Sequence, residues 1–245
     1  MKKSTTTVMM SLIGTGAIFA ASGAEASYIV GDPGAYDTSG ISTLFEARTR
    51  LDAGNSQTWK NAFWRSGEQQ PAATGGNFSS PWVSGQAQGF ELTYHAGTGM
   101  AVWTVDMPGP IGPNMTMSSF QLGPDNLLAG FRFSARSEGN GSSTLLDGLE
   151  LSIDGGAYEA IQGLGSVESS GPDVFVDSDS VFFTEEISSL SIRGNVTFDW
   201  LDGTNLQGDR FRGSIRLMEG QLIPGPGALA LFGSALLCGA RRRRA

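Results

Sequence analysis

The sequence predicts an all-β fold, an antiparallel β-sandwich over residues 27–221. Three observations lead there. Glycine makes up 35 of 245 residues, about twice the usual share, while charged residues are only 16 %. Apolar residues recur with a period of two from residue 89 onward, in short runs. Gly-rich turns separate those runs at the spacing of sandwich strands, about 8–12 residues. No alternation of helix and strand supports a parallel sheet, and no repeat of about 20–50 residues is evident. The predicted body is long enough to bury one core.

Residues 31–90 carry the weakest pattern. GDPGAYDTSG is turn chemistry. In ISTLFEARTRL, Ile41, Leu44, Phe45, Arg48 and Leu51 fit helical spacing and a ragged strand equally. TWKNAFW reads as one helical turn packing Trp59 and Phe63, and GEQQPAATGGNFSSPWVSGQAQG reads as loop. Beyond 89 the strands are clearer. Ala101 to Asp106 is one, and Leu128 to Ser134 alternates around Phe131 and Phe133. Leu149, Leu151 and Ile153 alternate with Glu150 and Ser152, then Asp154-Gly155-Gly156 turns into Ala157 to Ile161 as a hairpin. Leu190 and Ile192 lead through Gly194-Asn195, read as a two-residue primed turn, into Val196, Phe198 and Trp200. Phe211, Ile215 and Leu217 form the last strand, with Arg212 and Arg216 facing out. VTFDWLDGTN and the following GDRFRGSIRLMEG resemble the closing strands of jelly-roll domains in other exported, sorted bacterial proteins. That resemblance concerns architecture alone.

Both ends read as addresses. Lys2 and Lys3 form a basic start, Val8 to Ala21 an apolar run, and Ala24-Glu25-Ala26 before Ser27 an A-x-A cleavage site. The apolar run falls short of the roughly 20 residues of a spanning helix, so residues 1–26 are expected to be a signal peptide cleaved after Ala26. At the other end Pro224-Gly225-Pro226-Gly227 precedes an apolar run, Ala228 to Ala240, followed by Arg241, Arg242, Arg243 and Arg244. A helix of that length spans about 20 Å against a bilayer core of about 30 Å. An exported body forces the arginines to the cytoplasmic side.

Pro-x-Pro, a short Gly/Ala/Leu-rich helix and a terminal arginine cluster resemble the PEP-CTERM sorting signal, here over residues 222–245. Gly225 stands where that family usually has Glu, and Cys238 late in the helix is atypical. The resemblance implies a transmembrane helix recognised and processed by an exosortase-like enzyme at the inner membrane. It further implies export to the cell surface or extracellular matrix of a Gram-negative-type bacterium, often alongside exopolysaccharide. An ordinary tail anchor is the alternative.

The net charge of −8 divides unevenly. Removing Lys2, Lys3, Glu25 and Arg241 to Arg244 from 16 basic and 24 acidic residues leaves 10 basic and 23 acidic, about −13. A body of that mean charge is expected to repel nucleic acid and anionic surfaces. Cys238 is the one cysteine and lies in the tail, which removes disulfide and thiol chemistry from the body. His95 is the one histidine, so any Ser–His–Asp triad must use it, and no G-x-S-x-G elbow appears. Chance carboxylate pairs are plentiful and unmarked. Zinc clusters are absent. For a structural calcium, DVFVDSDS offers Asp173, Asp177 and Asp179, and DWLDGTN offers Asp199 and Asp202; neither matches an EF-hand, and solvated acidic turns explain both. Trp103 and Trp200 alternate with apolar partners and read as core. Trp64 and Trp82, in polar Gly/Ser-rich stretches, are the better candidates for exposed glycan-stacking platforms. Four N-x-[ST] triplets, at Asn77, Asn114, Asn140 and Asn195, are what chance gives in such a chain.

The expectation is a non-enzymatic exported surface or matrix protein without a resident cofactor and without nucleic-acid binding, meeting the membrane transiently through its tail. A carbohydrate-binding, lectin-like module is the alternative; a secreted hydrolase or a plain tail-anchored protein ranks below it.

Overall fold

A computed structural model describes residues 17–19, 28–34, 36–51, 59–65, 73–78, 82–107, 114–121, 127–171, 175–201 and 211–224. Among them there is no helix; every regular element is a strand. In chain order these are β1 (Ala17–Phe19), β2 (Tyr28–Val30), β3 (Tyr36–Asp37), β4 (Ser42–Leu51), β5 (Trp59–Trp64) and β6 (Ala73–Phe78). Next come β7 (Ala87–His95), β8 (Met100–Met107), β9 (Asn114–Gln121), β10 (Leu128–Ser137), β11 (Ser143–Ile153) and β12 (Glu159–Ala160). The last are β13 (Val167–Ser170), β14 (Phe175–Phe183), β15 (Ser189–Asp199), β16 (Arg212–Glu219) and β17 (Ile223–Pro224).

Fifteen of these strands form two antiparallel sheets. One runs β1-β2-β14-β10-β16-β4-β5-β6; the other runs β12-β11-β15-β7-β8-β9, with β13 also pairing β11. Period-two alternation gives each sheet an apolar inner face. Phe45, Phe63, Phe131 and Phe133 come from the first sheet; Leu92, Tyr94, Trp103 and Phe198 come from the second, and all belong to one buried core. Two contacts tie the layers together. Phe45 lies 6.1 Å from Tyr94, and Trp103 Nε1 donates to Thr49 Oγ1 at 3.2 Å. The all-β, sandwich-like reading of the sequence therefore holds.

A smaller cluster of Ile29, Ala129, Phe182, Met218 and Leu222 lies apart from the main core, with Tyr36 of β3 packed against it. The short β3–β17 ribbon, Tyr36 opposite Pro224, adjoins it. The chain segments next to the two predicted addresses thus meet at one place in the fold.

ISTLFEARTRL, open between helix and strand, is strand β4, in which Phe45, Ala47 and Thr49 turn inward. The structure corrects three local expectations. TWKNAFW is strand β5 rather than a helical turn, and β6 lies inside the stretch read as loop. Gly194-Asn195 is no turn: β15 runs unbroken, with Gly194 opposite Phe90 and Asn195 opposite Gly89. The irregularity sits instead on β11, where the register shifts between Asp147 and Glu150 and Gly148 adopts φ +57°. The Asp154-Gly155-Gly156 turn is present, and its returning strand is the short β12. Of the predicted cleavage site, Ala24, Ala26 and Ser27 lie outside the described residues. The same holds for Gly225, Pro226, Gly227 and Arg241 to Arg244. No helix among the described residues is long and apolar enough to cross a membrane.

Candidate functional site

The outer face of the seven-stranded sheet carries a polar trough of about 510 Å³. Alternation builds it. Phe90 and Leu92 of β7 point into the core, so Gly89 and Glu91 point out. Register then sets Thr104, Glu91, Arg193 and Glu150 side by side across β8, β7, β15 and β11. A neighbouring row includes Gly89, Asn195 and Asp147. Asp106 folds over the floor: its Oδ2 lies 2.8 Å from where a Cβ on residue 89 would sit, a space only glycine leaves open.

Hydrogen bonds fix the walls. The Tyr158 hydroxyl donates to Glu91 Oε1, and Arg193 Nε donates to Glu150 Oε2. The Arg193 guanidinium also lies 4.0 Å over the Tyr158 ring. Partial burial, and then the Glu91 hydrogen bond, push the Tyr158 hydroxyl above its ordinary pKa, so it remains a donor. The trough is rich in acceptors. It suits ligands that present hydroxyls or positive charge.

The outer face of the eight-stranded sheet is the reverse. Across β10, β16 and β4, register aligns Arg132, Arg216 and Glu46 in one row. Another row aligns Arg136, Arg212, Arg50 and Lys60 across β10, β16, β4 and β5. Arg48 lies between the rows on β4, its Nη2 2.7 Å from Glu46 Oε2. Arg216 Nη2 reaches the same oxygen at 3.1 Å. Burial by itself would raise the Glu46 pKa, but the Arg48 hydrogen bond and the charges of Arg48, Arg216 and Arg212 outweigh it and hold it at about 2.

The two tryptophans expected to be exposed are both buried, Trp64 at 4 % and Trp82 at 3 % relative exposure. Arg48 and Arg50 place their guanidiniums 4.6 and 4.9 Å over the Trp64 ring. Trp82 packs edge-on against Phe198 at 4.7 Å. A stacking platform needs an open ring face, and neither offers one. Of the calcium candidates, Asp177 and Asp179 sit on β14 and accept from the backbone N–H groups of Ser178 and Ser180. Asp199 sits on the other sheet, its Oδ1 2.7 Å from Ser84 Oγ. Asp173 and Asp202 lie outside the described residues. Among the described residues no group of three His, Cys, Asp or Glu could hold a metal ion. His95 ends β7, exposed, opposite Ser189.

Sequence reasoning missed the trough because its residues come from four strands, two at a time. Gly89-x-Glu91, Thr104-x-Asp106 and Arg193-x-Asn195 are each an ordinary outward pair. Only the register makes them neighbours. Against known proteins, the chain matches no family model, and no curated protein matches it.

Proposed function

We propose that the chain is an exported, non-enzymatic protein of the cell surface or extracellular matrix. In this reading a jelly-roll-like sandwich is led out by a signal peptide ending at Ala26 and sorted by the PEP-CTERM-like tail over 222–245, with an exosortase-like enzyme as processing partner. The observation that carries it is the pair of end signals, and the segments that follow the one and precede the other come together in the fold. Ile29 and Leu222 share the small cluster beside the β3–β17 ribbon. The test is genetic. With Arg241 to Arg244 replaced by Ala, or Pro224 and Pro226 by Ala, unprocessed protein should accumulate in the producing cell. Unchanged processing and location would rule the sorting reading out.

One observation favours a second reading, a lectin-like module for neutral glycans: the trough ranges Glu91, Asp106, Asn195 and Thr104 around the side-chain-free position at Gly89. Carboxylates and amides accept from sugar hydroxyls. Binding on an array of neutral glycans, abolished by Asp106→Asn and Glu91→Gln, is its expected signature.

A further inference from the structure

Two rows of outward side chains cross the trough, and only one of them carries a cation. In the row of Thr104, Glu91, Arg193 and Glu150 that cation is already engaged: Arg193 Nε donates to Glu150 Oε2, while the Tyr158 hydroxyl donates to Glu91 Oε1. The other row is Gly89, Asn195 and Asp147, with Asp106 of β8 folded over Gly89. It holds two carboxylates and no cation. Among the described residues neither Asp106 nor Asn195 makes a side-chain hydrogen bond or an ion pair. Asp147 Oδ1, though buried, has no hydrogen-bond partner.

Glycine shapes this second row. Asp106 Oδ2 stands 2.8 Å from where a Cβ on residue 89 would sit, and Asn195 Nδ2 stands 3.0 Å from the same point on residue 148. Each polar group lies across bare backbone, where a larger residue would displace it. The groups left for a ligand are the Asp106 carboxylate, the Asn195 amide oxygen and one donor, the Asn195 amide nitrogen. A sugar hydroxyl brings an acceptor with every donor, so a ligand made of hydroxyls alone shares that one donor among its oxygens. An ammonium brings three donors and no acceptor, and its bonds to carboxylates are charge-assisted. The trough, about 510 Å³, crosses four strands, about 14 Å at the strand pitch. That is the size of a site for an extended organic ligand rather than for one small cation.

We propose that the trough takes a glycan with free amino groups, an unacetylated hexosamine chain, with an ammonium seated over Gly89 against Asp106. Asn195 meets the neighbouring hydroxyls, and Asp147 adds its charge from the end of the row. Asp106 selects the amine, and Gly89 is the position that lets the carboxylate stand there. The proposal rests on the reading of the trough as a glycan site and changes the class of glycan from neutral to cationic.

The test is isothermal titration calorimetry on the full chain in a non-ionic detergent, at about 0.15 M salt, where the screening length is about 8 Å. The probes are a linear tetramer of glucosamine, its fully N-acetylated counterpart and spermidine. The glucosamine tetramer should bind at least about tenfold more tightly than the other two, the factor that one charge-assisted hydrogen bond supplies. Asp106→Asn keeps the shape and removes the charge. Gly89→Ala keeps every charge and displaces the carboxylate. Each should weaken the glucosamine tetramer about tenfold or more, and Asp106→Asn should do so at an unchanged melting temperature. Glu186→Gln, which removes one exposed charge between β14 and β15, should leave binding as it is. Equal binding of the two tetramers, lost in Asp106→Asn, would overturn the amine and leave the neutral-glycan reading in place. Binding of neither tetramer would overturn the proposal, and the array of neutral glycans then decides that reading separately. Glucosamine binding that survives both trough variants, or that spermidine matches, would overturn it as the attraction of any cation to an acidic body.

Discussion

Glu46 shows how one residue sets the character of a face. It is 3 % exposed and shares one carboxylate oxygen between Arg48 and Arg216. Removing it takes the acceptor from two partly exposed guanidiniums, so Glu46→Ala should cost about 1–3 kcal/mol in urea unfolding. Its folded pKa, about 2, lies below the ordinary carboxylate value of 4.5. Its contribution is therefore complete above pH 4.5 and is lost as pH falls through about 2. Glu46→Gln should flatten the stability profile in that window; an unchanged slope would mean the ion pairs contribute nothing. A second residue-scale link crosses the core. Trp103 Nε1 donates to Thr49 Oγ1, which donates to Asn61 Oδ1 at 2.6 Å. Thr49→Val keeps the volume and strands the buried indole N–H, at a cost of about 1–3 kcal/mol, read as a lower urea midpoint. Trp64 and Trp82 were misread for want of partners: polar neighbours in sequence do not show that arginines will roof one ring and Phe198 will meet the other.

At the scale of elements, β15 teaches the most. Leu190, Ile192, Val196 and Phe198 are all buried and share one parity. A two-residue turn at Gly194-Asn195 would set Ile192 opposite Thr197 and break that parity, so the unbroken strand was legible in the sequence. The glycine serves close approach instead. A Cβ at 194 would lie 2.8 Å from Asp147 O and Leu149 Cδ2 and 3.0 Å from Phe90 Cζ. Gly194→Ala should therefore destabilise by about 1–3 kcal/mol, seen as a lower melting temperature with the fold retained. A neutral result would mean that β11 and β7 give way easily. Strands β4 to β6 were harder to read for a physical reason. Both faces of β4 are engaged, with Phe45, Ala47 and Thr49 in the core and Glu46 buried beneath arginines. Alternation fades when the outer face is also covered.

For the whole molecule, mean charge and the distribution of charge differ. A body near −13 was expected to repel anions, yet its cations are gathered on one sheet face. Composition cannot show this, because the gathering depends on the order β10-β16-β4-β5. The all-β class was legible from glycine content and alternation. The trough was not, because register alone assembles it. If the sandwich is an exported body trimmed at both ends, its mass outside the cell is fixed. The most direct measurement is the intact mass of the protein recovered from outside the producing cells. The expected species begins at Ser27 and lacks Arg241 to Arg244. A recovered mass that still includes the arginine tail would contradict it.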